Sequence, residues 1–415
     1  MTRRTMSRGE RRLRSRRSVA GFTLLEMLVA LLAGAMTIAT VYSLGAGSTR
    51  AFQEQNRINQ TQAAVRSAME QVRRDFSRAG FGATPDSGAS ASTGDRGANP
   101  AGCSVSQSFR LRALEVNNGA YTSTLALNGQ NAVQADGVIL TGNYATGDHY
   151  LVSDISAGTT ITLQQTRQSF RRSFGSPLVA QRFADAFRVG RWVYLVAETG
   201  RRIARQISSV NGATGTITVT PSISVGCFGY GRGARISPIS RVEYFAVAPA
   251  AGNGFAWLLP NGTAAERTAR GMNQTVLGRR ELQFVNANTV VANSERVVLE
   301  YLAHFDVALT LDTGVTPTPV LVETLTGDGG ASALALAPAR ARAARVTLSG
   351  RSAGVDANFP WTGTRVSQRA SLNSYLPRLP SGMSAAQAVG VAPAAHVRTA
   401  EELILLENIA NRGLR

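Results

Sequence analysis

Glu26 is the residue of this 415-residue chain whose placement most demands a chemical explanation. It is the one acidic or basic group in the run FTLLEMLVALLAGAMTIATVYSL, which extends from Phe22 to Leu44 and is otherwise apolar apart from a few hydroxylated residues. A carboxylate in such a run costs on the order of 2–3 kcal/mol when the run lies in lipid, so it calls for a partner. The other reactive side chains are sparse. Cys103 and Cys227 fit neither a zinc site nor a CxxC redox motif. In an exported protein their expected use is a single disulfide closing a loop of about 125 residues. His149, His304 and His396 are isolated in sequence, with no Cys or paired carboxylates at ligand spacing. HExxH and P-loop motifs do not occur. The glycine-dense stretch Gly226–Gly233 follows no strand-to-helix pattern and reads as a loop around Cys227. The expectation is a protein with no catalytic residue, no metal and no cofactor.

The formal net charge is +18, and all 44 basic residues are arginine. Residues 1–21 hold eight Arg and one Glu, so a chain beginning at Phe22 carries +11. A second concentration of Arg lies at Arg167, Arg171, Arg172, Arg182, Arg188 and Arg191, with Phe170, Phe174 and Phe187 interleaved. Such a segment can track phosphates and stack bases, which makes DNA one partner to consider. The alternative is a set of solvated, positively charged strand edges.

These residues must be positioned by a small number of elements. The Arg-rich segment 1–21 cannot form a packed core and reads as a leader. Residues 22–44 are long enough to cross a bilayer as one helix, which takes about 20 residues. Arginines before this run and none within it place its N-terminus in the cytoplasm. Residues 45–80 continue as an amphipathic helix with Ile58, Val65, Met69, Val72 and Phe76 on one face. Gly45 and Gly47 mark a place where the helix can soften, and Gly80 and Gly82 supply its stop. Residues 81–415 form the head. After a Gly/Ser/Ala/Pro loop over 83–102, short β-branched or aromatic runs predict strands at 136–140, 160–163, 192–197, 215–220, 241–248, 279–284, 296–311, 345–348 and 402–408. A loop longer than a two-residue turn follows Asn211-Gly212. The stretches 313–338 and 377–395 read as surface insertions, and 140–235 as a β subdomain within the head. The predicted class is α+β: a long N-terminal helix, half in the membrane and half amphipathic, packed on an antiparallel β-rich head with large loop insertions.

Gly21-Phe22-Thr23-Leu24-Leu25-Glu26, behind a basic leader and ahead of a spanning run, resembles the prepilin peptidase site of type IV pilins and type II secretion pseudopilins. The resemblance implies cleavage between Gly21 and Phe22, N-methylation of Phe22, and Glu26 as the acidic fifth residue of the mature chain. The new α-amino group of a neighbouring subunit then neutralises Glu26 in lipid. Arg74-Asp75-Phe76-Ser77-Arg78-Ala79-Gly80-Phe81 resembles the end of the long helix in PilW-type minor pilins. That resemblance is strong over residues 17–81 and loose beyond. It implies a single-pass inner-membrane protein with a periplasmic head, destined for the pilus at the cell surface. The implied role is priming of pilus assembly, with a place at the tip. Implied partners are other minor pilins, the major pilin, prepilin peptidase, the inner-membrane assembly platform and a tip adhesin. Three alternatives stand beside this reading. They are a J-type pseudopilin of type II secretion, a signal-anchored periplasmic DNA-binding protein, and a twin-arginine signal at Ser15-Arg16-Arg17-Ser18-Val19 cleaved near Gly45-Ala46-Gly47-Ser48.

Overall fold

The computed structural model describes residues 22–83, 111–117, 119–120, 135–225, 229–250, 253–259, 274–284, 289–314, 320–324, 338–363, 374–376 and 382–410. The chain is α+β and divides into two compact units, Met1–Asn56 and Arg57–Arg415. Helix α1 (Leu24–Ser77) contributes its first part to one unit and its last turns to the other. Gly45 and Gly47 do not interrupt it, because the surrounding Ala, Leu and Gln residues sustain the helix at a cost of about 1 kcal/mol per glycine.

In the second unit the helix buries Val65, Ala68, Met69, Val72 and Phe76. Their three- and four-residue spacing places them in one stripe. The stripe packs into a core shared by two antiparallel sheets. The first sheet runs β1 (Leu114–Asn117), β2 (Gly137–Gly142), β8 (Arg235–Val247), β9 (Val276–Leu282), β10 (Arg296–Glu300). The second runs β12 (Leu321–Thr324), β11 (Leu302–Asp312), β13 (Ala341–Arg351), β16 (Pro393–Leu405), β14 (Asp356–Pro360), with β15 (Ser374–Tyr375) also on β16. The C-terminal strand ends at Leu405. The stretch through Asn408, predicted as strand, turns instead into helix α5 (Glu407–Ala410), which follows the short helix α4 (Ala385–Ala388) in the chain. In α5, Asn408 donates its side-chain amide to the carbonyl of Ser77 at 2.6 Å, taking up one of the orphan acceptors at the end of α1.

Residues between β2 and β8 build a separate body. Strands β3 (Tyr150–Ser156), β4 (Thr160–Leu163), β7 (Thr216–Thr220), β6 (Arg202–Asn211) and β5 (Trp192–Val196) pair in that order, and both β3 and β5 pair with β8. The ladder therefore closes into a six-stranded antiparallel barrel. Its core takes alternate residues of each strand, among them Val152, Ile161, Val193, Leu195, Ile207, Ile217 and Ile236. Residues 235–239 of β8 belong to the barrel and residues 240–247 to the first sheet, so one strand carries both structures.

Asp136 ties the start of β2 to β11. Its side chain is buried and accepts N–H bonds from Gly119 at 2.7 Å and Val307 at 2.8 Å. Burial outweighs those two bonds and lifts its pKa to about 7. A folded-state value above the unfolded one means stability present near pH 4 and lost as pH rises toward 7. The loss is bounded at about 4 kcal/mol by the size of the shift. Chemical unfolding of the full chain in detergent at pH 4.5 and 7.5 measures it. In Asp136→Asn the decline between those two pH values is expected to shrink by about half or more. An unchanged decline in the variant would assign it to other groups.

Candidate functional site

The N-terminal site begins at Phe22, which is exposed. The hydroxyl of Thr23 accepts the backbone N–H of Glu26 at 3.2 Å, and the Thr23 carbonyl accepts the N–H of Met27 at 3.1 Å. Thr23 thus caps α1, and Glu26 falls in its first turn, where the helix dipole favours a negative charge.

Beyond the cap, the first unit presents apolar side chains on every face. Leu24, Leu31, Met36, Ile38, Tyr42 and Leu44 are each at least 70% exposed, and no described residue of this unit is buried. The helix is long and apolar enough to cross a membrane by length and composition. Its hydroxyls make that crossing less costly. Thr37 donates to Ala33 O at 2.8 Å, Thr40 to Met36 O at 2.8 Å, and Ser43 to Thr40 O at 2.9 Å. Each bond returns a polar hydrogen to the helix's own backbone. Among the described residues, only the Glu26 carboxylate leaves a charged group in the apolar run without a hydrogen-bond or ion-pair partner.

At the other end, the phrase Arg74–Phe81 docks α1 onto the head. Phe76 is fully buried. One oxygen of Asp75 accepts from Arg279 Nε of β9 and from the Tyr244 hydroxyl of β8, each at 2.7 Å, while the Asp75 carbonyl accepts from the Tyr144 hydroxyl at 3.2 Å. Burial and the neighbouring Asp75 charge push both tyrosines well above their usual pKa, so they remain donors. Gly80 and Gly82 take positive φ, and a Cβ on Gly82 would stand 2.3 Å from Ser237 Oγ. The chain can then run beside the end of β2, with Gly80 N–H donating to Thr141 O at 2.9 Å and Asn143 N–H to Phe81 O at 2.7 Å.

The Arg-rich stretch 167–191 differs from both readings offered for it. Most of it folds as helices α2 (Gln168–Phe174) and α3 (Ala180–Ala186), not as strand edges. Phe170, Phe174 and Phe187 are almost fully buried with Phe183 and Tyr150 in the barrel core, with ring centroids 4.8–6.3 Å apart. They are therefore closed to bases. Arg172 pairs with Asp148, and Arg191 binds Glu281 at 2.9 Å. A repeated four-residue spacing, Phe170/Phe174 and Phe183/Phe187, was the signal for two helical faces.

The histidines are not isolated in space. His396 Nε2 lies 3.1 Å from Asp356 Oδ2 and its ring stacks on Phe359, while His149 packs against Phe81. Gly21, Cys103 and Cys227 lie outside the described residues.

Comparison with known proteins gives three findings. The prokaryotic N-terminal methylation motif family matches residues 16–42. No curated protein matches. Among solved structures, a type IV-like pilin from Thermus thermophilus aligns at 12% identity with a TM-score of 0.19, covering 57% of this chain and 94% of that one. The chain thus carries a prokaryotic N-terminal methylation motif, and the motif coincides with the capped start and apolar first turns of α1.

Proposed function

We propose that this chain is a PilW-type minor pilin precursor, cleaved between Gly21 and Phe22 and N-methylated on Phe22. The observation that carries the reading is a coincidence of position. The methylation motif falls on the exposed, apolar first part of α1, and among the described residues that part holds one charged side chain, the Glu26 carboxylate, which is unpaired. A free amine at Phe22 stands one turn from the Glu26 of its own chain. It is better placed to meet the Glu26 of a neighbour, which makes docking of subunits the event that neutralises both charges. In this reading the mature protein sits in the inner membrane with its head in the periplasm. It joins other minor pilins on the assembly platform, primes growth of the pilus and travels at its tip. A head spanning Arg57–Arg415, with a barrel added to its two sheets, favours a minor pilin over the smaller J-type pseudopilin.

The test is filament composition. Pili sheared from cells are expected to contain this chain at a few copies per filament. Deleting it is expected to reduce pilus number at least tenfold without changing the level of the major subunit. Normal piliation in the deletion strain would remove the priming role.

A further inference from the structure

The last turns of α1 form one wall of a cavity of about 420 Å³, completed by β9, the start of β10 and the segment between α3 and β5. Six arginines line it: Arg74, Arg78, Arg188, Arg191, Arg279 and Arg296. Two carboxylates line it as well, and each is already committed, Asp75 to Arg279 at 2.7 Å and Glu281 to Arg191 at 2.9 Å. Arg74, Arg78, Arg188 and Arg296 have no carboxylate within ion-pair distance among the described residues, so the cavity holds four uncompensated positive charges.

Four like charges around one concavity repel one another and focus a positive potential on its interior. Helix formation alone does not require them at Arg74 and Arg78, and the sheet does not require one at Arg296. Guanidinium forks match the oxygens of phosphate two at a time. The fixed ion pairs at Arg279 and Arg191 hold two more guanidinium groups in place beside the free ones. The volume is that of a small-ligand site, which runs from about 300 to 1,000 Å³. The nearby phenylalanines that could have stacked bases are buried in the barrel, so a compact anion fits better than a nucleic-acid strand.

We infer that this cavity binds a compact phosphate-bearing anion, with Arg74, Arg78, Arg188 and Arg296 as its ligating cations. The site is independent of the assembly role of the N-terminal helix.

Isothermal titration of the full chain in neutral detergent, at low salt, with inorganic pyrophosphate as the probe tests the assignment. One saturable site is expected, with affinity falling at least tenfold in Arg74→Gln/Arg296→Gln and likewise in Arg78→Gln/Arg188→Gln. All four arginines are exposed and outside ion pairs, so the two double variants are expected to keep the parental thermal midpoint. If one pair fails to fold, the other decides. Arg66→Gln, which removes one charge from the exposed face of α1 where each double variant removes two, is expected to leave the affinity within twofold. Absence of saturable binding would overturn the site, and equal weakening by Arg66→Gln would reduce it to net charge. Tighter binding of citrate than of pyrophosphate would reassign it to carboxylates. Binding of a short DNA duplex with none of pyrophosphate would reassign it to a polyanion surface.

Discussion

Replacing Glu26 with alanine is expected to leave the protein in the membrane and remove it from its assembly. Insertion depends on the apolar run, and deleting a charge from that run favours insertion by about 2–3 kcal/mol on translocon scales. Membrane levels of Glu26→Ala should therefore equal or exceed those of the parent. Docking depends on the opposite consideration. Without the carboxylate, a neighbour's N-terminal amine enters lipid unpaired, and breaking a buried pair on one side is costly where replacing both sides is not. Co-purification with partner subunits is expected to fall tenfold or more, with Glu26→Gln close to alanine because an amide carries no charge. Leader removal should be unaffected, since the proposed cut follows Gly21 and Glu26 lies beyond it. Co-purification at the parental level together with normal pilus number would leave Glu26 without an assembly role and place docking on the head.

The second large effect is expected at Asp75, where α1 is fastened to the head. Asp75→Ala leaves the largely buried Arg279 guanidinium without its ion-pair partner, and leaves the Tyr244 hydroxyl without its acceptor. Removing one member of a buried pair costs about 3–5 kcal/mol. Urea unfolding of the full chain in detergent, followed by tryptophan fluorescence, is expected to show a loss of that order. Asp75→Ala combined with Arg279→Met should recover part of it, because no charge then remains buried. A loss under about 1 kcal/mol for the single variant, which is the worth of an exposed pair, would show that the clasp is solvated.

Those two residues also mark how far the sequence could be read. The N-terminal run was legible because membrane crossing is decided by length and composition, both local properties. The buried stripe from Val65 to Phe76 and the turn at Gly80 and Gly82 were legible because a helix repeats its face every three or four residues. Strands such as Thr160–Leu163 and Thr216–Thr220 were bounded by Gly and Asn or Pro and fell close to where those residues put them.

What could not be read depends on distant partners. The clasp at Asp75 needs Arg279, 204 residues away, and nothing near Asp75 points to it. Closure of the barrel rests on β8 serving two structures, which is a matter of pairing and not of local pattern. The helices at 168–174 and 180–186 were obscured by their arginines, which drew attention to charge while the phenylalanines at four-residue spacing were building a core. The four unpaired arginines of the cavity come from α1 and the turn after it, from the segment before β5 and from β10, and their convergence is visible only in three dimensions.

In the proposed reading the chain is a processed and methylated precursor whose mature form begins on the apolar helix. Intact-mass and N-terminal peptide analysis of the protein extracted from membranes tests this most directly. The expected result is a chain beginning at Phe22 with one methyl group on its α-amine, the whole basic leader gone, and Glu26 five residues in. An unmethylated chain that retains its leader, or one beginning near Ser48 after loss of the apolar run, would contradict the account.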